Sequence, residues 1–106
     1  MPSAVTEYEK LITTFASKEG VTSGQMFGKA CLKVNGKAFT SLHNDKVVFK
    51  LTGDAHKQAM SFKNATLWDP SGKGRPMKEW VALPAVEAKH FKTLATEALS
   101  YVLNAQ

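Results

Sequence analysis

The run "ACLKVNGKAFTSL", residues 30–42, constrains this chain more than any other feature. Asn-Gly between alternating apolar residues is the strongest short-range hairpin signal. A type I′ turn needs two consecutive residues at positive φ, and these two residue types tolerate it. A two-residue turn at Asn35-Gly36 joins a strand over residues 30–34 to one reaching about Leu42, with Leu32 opposite Phe39. His43-Asn44-Asp45-Lys46 then turns into a third strand, residues 47–51.

Burial on one side of a sheet selects the register, because a one-residue slip moves every side chain to the other face. A two-residue turn at Asn44-Asp45 sets Phe39 against Lys50. A three-residue turn over Asn44–Lys46 instead aligns Leu32, Val34, Phe39, Val47, Phe49 and Leu51. It leaves Lys33, Thr40 and Lys50 on the opposite face with Leu42 and Val48. The second register is preferred, since it segregates apolar from polar residues.

The flanking segments supply helices and two more strands. Ser3 is an N-cap residue type for a helix over 4–18, whose apolar face is Val5, Tyr8, Leu11, Ile12 and Phe15, with Gly20 as its stop. Thr52-Gly53-Asp54 opens a short helix over 55–62. Residues 65–68 and 77–83 read as strands around the turn Asp69-Pro70-Ser71-Gly72. Pro84 suits the first turn of a last helix, with Phe91, Leu94, Ala95, Ala98 and Val102 as its buried stripe. The order α-βββ-α-ββ-α predicts a two-layer α+β domain, a five-stranded antiparallel sheet with helices on one face.

With 106 residues and 43% hydrophobic content, the chain fits one globular domain. It has one cysteine, so no internal disulfide forms. No apolar run approaches the length of a membrane span, and the first residues carry no secretory h-region, so a cytoplasmic protein is expected. Net charge is +5, which favours anionic partners, nucleic acid first. All the basic residues except Arg75 are lysine, the ordinary solvating residue.

Catalytic patterns are missing. His43, His56 and His90 fall on separate elements, without the spacing of a metal site. Cys31 shares a strand with Lys33, whose ammonium favours a thiolate, but a small packing residue is the simpler role. Neither a nucleophile elbow nor a P-loop is present. No catalytic residue, cofactor or metal is therefore expected. The stretch "SGKGRPMKEW", residues 71–80, combines Gly72 and Gly74 with Lys73, Arg75 and Lys78. Glycines let backbone amides approach an anion, and Trp80 could stack on a base. The same residues also make an ordinary hairpin tip, with Trp80 facing the core opposite Trp68.

Met26-Phe27-Gly28 before the hairpin, the hairpin "LKVNGKAF", Asp45 before an apolar strand, and the later Asp69-Pro70, Gly74-Arg75-Pro76-Met77 and Trp80-Val81-Ala82-Leu83-Pro84 occur in an order that resembles the TfoX N-terminal-domain family. The match covers nearly the whole chain, and its later part is similar to small stand-alone members. The resemblance implies a two-layer α+β fold and no enzyme, cofactor or catalytic residue. Longer relatives are regulators of bacterial competence and carry a second, carboxy-terminal domain, which is not expected in this chain.

Two functions follow as expectations. One is a non-enzymatic, regulatory interaction module that binds a protein partner or itself as a homodimer, with Leu42 and Val48 seeding the interface. The other is nucleic-acid binding through Lys33, Lys50, Lys73, Arg75 and Lys78. No membrane partner is expected.

Overall fold

The computed structural model describes residues 3–26, 29–43, 45–69 and 77–104. Helix α1 runs Ala4–Phe15, and the Ser3 side chain accepts a 3.1 Å hydrogen bond from the Thr6 amide, the expected cap. The helix ends earlier than its periodicity suggests. Its buried stripe is Ala4, Tyr8, Leu11 and Phe15, whereas Val5 is half exposed. Gly20, at φ +81°, turns the chain into the sheet, and its carbonyl accepts from the Asn35 amide at 2.9 Å.

Among the described residues the sheet has six strands rather than five, all paired antiparallel, in the order β1-β2-β3-β4-β6-β5. The additional strand is β1, Val21–Met26. Its sequence VTSGQM has no apolar alternation, so only pairing with β2, Lys29–Val34, makes it extended. Strand β3 covers Lys37–His43, β4 Lys46–Lys50, β5 Thr66–Trp68 and β6 Met77–Pro84. Helix α2, Gly53–Met60, links β4 to β5. After β6 comes a 3-10 segment, Ala85–His90, with Pro84 at its entry, and then α3, Phe91–Asn104.

The Asn35-Gly36 turn is as expected. Its residues sit at φ 51° and 85°, and Val34 pairs with Lys37. The register beyond it is not. A bulge in β3 sets Thr40, not Phe39, opposite Leu32, and His43 pairs with Lys46 through a two-residue turn. The three-residue turn at 44–46 is therefore corrected. The bulge does what that turn was invoked to do. By admitting an extra residue it puts Phe39 and Thr40 both on the side of Leu32. Leu32, Val34, Phe39, Val47, Phe49 and Leu51 share one core cluster after all.

That cluster lies between the sheet and the helices. It includes Tyr8, Leu11 and Phe15 of α1, Ala59 of α2, Val81 and Leu83 of β6, and Phe91, Leu94, Ala95, Ala98, Leu99 and Val102 of α3. All three helices thus cover one face, here called the helix face. The α+β class and the one-sided helical layer follow as expected; the strand count does not. Among the described residues, no helix is long and apolar enough to cross a membrane.

Candidate nucleic-acid interface

Strand alternation assigns the side chains of the other face. Cys31 and Lys33 alternate with the helix-face residues Leu32 and Val34, and pair with Ser41 and Ala38. Val48 pairs with Ser41 and Ala82, and Lys50 with Trp80. A second cluster of Val48, Trp68, Trp80 and Ala82, with Ala38 packed against it, occupies the middle of this side. The Trp68 and Trp80 rings meet edge to face at 5.2 Å, and each is at most 5% exposed.

Lysines ring that apolar middle. Lys33 and Lys50 lie on this face, as the sequence suggested, and both are half-buried. The Lys33 stem runs over β1, so a methyl group added at Gly24 would sit 3.4 Å from its Cε. Lys78 is exposed, but β6 is irregular here, with Leu67 paired to Val81 and Trp68 to Met77, so alternation assigns it no side; it lines a cleft with His56 and Lys57 of α2. Lys73 and Arg75 fall outside the described residues. Two lysines that sequence reasoning passed over belong here too. Lys29 and Lys46 stand four residues before Lys33 and Lys50 on their strands, so strand period places each pair on one face. That period was the missed signal. Between described residues the ion pair is Lys10–Glu7, at 3.1 Å, on α1. No described carboxylate sits within ion-pairing distance of the sheet lysines.

His43 marks the end of the face near the β3–β4 turn. It lines a cleft of about 260 Å³ with Asp45, Lys46, Thr66, Trp68 and Asp69. Burial lowers its pKa first, and the ammonium groups of Lys29 and Lys46 lower it further, against Asp45 and Asp69. The imidazole is thus held neutral, with the two carboxylates tempering the local positive field. At the other end, His56 Nε2 lies 2.8 Å from the Lys78 carbonyl oxygen and ties α2 to β6.

Leu42 and Val48 are placed differently from their expected role, whereas Trp80 and Cys31 take the packing roles expected of them. Leu42 pairs with Val47 and packs against the helix-side core, because the bulge moved it there. Val48 points the opposite way and is fully buried. The two form no shared exposed patch. Trp80 faces the second cluster rather than solvent, so it offers no stacking surface. Cys31 is fully buried; burial raises its pKa, and the opposing pull of Lys33 is smaller. That is the packing role, not an activated thiol. Among the described residues, no group of His, Cys, Asp and Glu side chains could hold a metal ion. No family model, curated protein or solved structure matches the chain.

Proposed function

We propose that this protein is a non-enzymatic interaction module whose partner is nucleic acid, bound on the lysine side of the sheet. The observation that carries the reading is the gathering of Lys29, Lys33, Lys46 and Lys50 on the face opposite the helices, without carboxylate partners among the described residues. An array of unpaired ammonium groups attracts phosphates, and counterion release drives the binding. The self-association reading loses its motive, since Leu42 and Val48 lie on opposite faces and Val48 is covered. The order of motifs shared with the TfoX N-terminal-domain family supports a regulatory setting for such a module.

Fluorescence anisotropy with labelled DNA at low and moderate salt tests this. Binding that weakens steeply with salt is the expected result. No binding at low salt, or an affinity indifferent to salt, overturns it.

A further inference from the structure

The lysines of this face do not form one cluster; they form two rows. On β2, Lys29 and Lys33 are separated by four residues, and on β4 so are Lys46 and Lys50. At a strand rise of about 3.3 Å, each interval is roughly 13 Å. Strand β3 alone lies between β2 and β4, so the pairs are two strand spacings apart, roughly 10 Å. The Lys29 and Lys46 charges both act on His43, which pairs with Lys46 across the strands, so these side chains converge at one end. Lys33 pairs with Ala38 and Lys50 with Trp80, which aligns them at the other end.

Among the described residues, the band between the rows offers nothing to read a base. Ser41 donates its hydroxyl hydrogen bond to the Ala30 carbonyl at 2.7 Å and is fully buried. Val48, Ala82, Trp68 and Trp80 pack on one another. Neither indole is presented for stacking, so the described residues of this band lack the interaction that favours single strands. What remains is two parallel lines of positive charge about as far apart as the width of the duplex major groove, about 12 Å.

We infer that the lysine face binds double-stranded nucleic acid without sequence preference, one row on the phosphates of each strand across a groove. This rests on the nucleic-acid reading above. Lys29 and Lys46 make one line of contacts, and Lys33 and Lys50 the other. Asp45 and Asp69, near His43, weaken the first row relative to the second. Lys33 lies back over Gly24 and must swing outward to reach a phosphate.

The test compares a labelled duplex, its single strand and a second duplex of unrelated sequence, by anisotropy over a salt series. Wild type is set beside K29Q/K46Q, K33Q/K50Q and, as a control of equal charge change, K10Q/K18Q on the helix side. The expected result is tighter binding of both duplexes than of the single strand, equal between sequences. Each sheet double variant loses about tenfold or more in affinity and about 2 in the log–log salt slope, since each phosphate contact contributes about 0.9. The control changes little. Single strand bound as tightly as duplex, or one row dispensable, overturns the two-row duplex inference while leaving nucleic-acid binding intact. No binding of any probe at low salt overturns both.

Discussion

Trp68 and Trp80 meet edge to face, ring centroids 5.2 Å apart, on the side of the sheet opposite the helices. The pair turns what a half-solvated sheet would leave wet into a second small core. Trp80→Ala should destabilise the protein by about 3–5 kcal/mol, the usual cost of deleting a buried large aromatic. Trp80→Phe should cost less. Urea unfolding followed by circular dichroism measures both. Folded Trp80→Phe should bind DNA as wild type does; a large selective loss of binding would show that the indole contacts the ligand.

Two buried hydroxyls on the helix face should respond with opposite sign. Thr40 donates to the Val48 carbonyl at 2.7 Å, so Thr40→Val should lose about 1 kcal/mol by leaving that oxygen short of a donor. The Tyr8 hydroxyl is buried without a hydrogen-bond partner among the described residues, and burial pushes its pKa upward, with the Cys31 charge adding to the shift. Tyr8→Phe removes an unsatisfied group and should stabilise by about 1 kcal/mol. A loss of stability in Tyr8→Phe would mean that the hydroxyl is satisfied in solution.

Gly36 and Gly20 both sit at positive φ, +85° and +81°, yet their surroundings differ. Nothing lies within 4 Å of a methyl group added at Gly36. Gly36→Ala should therefore cost only the left-handed strain, about 1–2 kcal/mol. A methyl group at Gly20 would lie 2.5 Å from the Asn35 Oδ1, so Gly20→Ala should cost more. Adding Asn35→Gly should erase the excess, and a double-mutant cycle on the unfolding midpoints reads that coupling.

Stability should fall in mild acid through His43. Its folded pKa lies below the ordinary 6.5, mainly because it is buried. Below about pH 6.5 the unfolded chain takes up a proton that the folded state resists, so acid favours unfolding until the folded pKa is passed. Between pH 7.5 and 5.5 the wild-type urea midpoint should drop further than that of His43→Gln. Identical drops would remove His43 as the cause.

Cys31 should be alkylated far more slowly than a free peptide thiol at pH 8, since it is fully buried and burial raises its pKa. The reaction should accelerate in urea across the unfolding transition. Fast alkylation of the folded protein would restore the case for a reactive thiol.

The sequence by itself determined the α+β class, the Asn35-Gly36 turn, the Ser3 cap and the apolar stripe of α3, because each depends on a local period or on one residue's backbone preference. The assignment of Lys33 and Lys50 to one face was legible for the same reason, as was the facing of Trp68 and Trp80. Tertiary structure decided the rest. Strand β1 has no apolar pattern of its own and exists through its partner β2. The bulge at Phe39 satisfies the core with a register that alternation alone argues against, and it sends Leu42 to the helix side. Burial of Val48 and Trp80 depends on side chains distant in sequence. A strand's period shows which residues share a face, but the pairing of strands and what packs against that face settle whether they meet water. That is why the lysines were foreseeable as one surface, whereas their arrangement as two rows about an apolar band emerged only from the folded sheet.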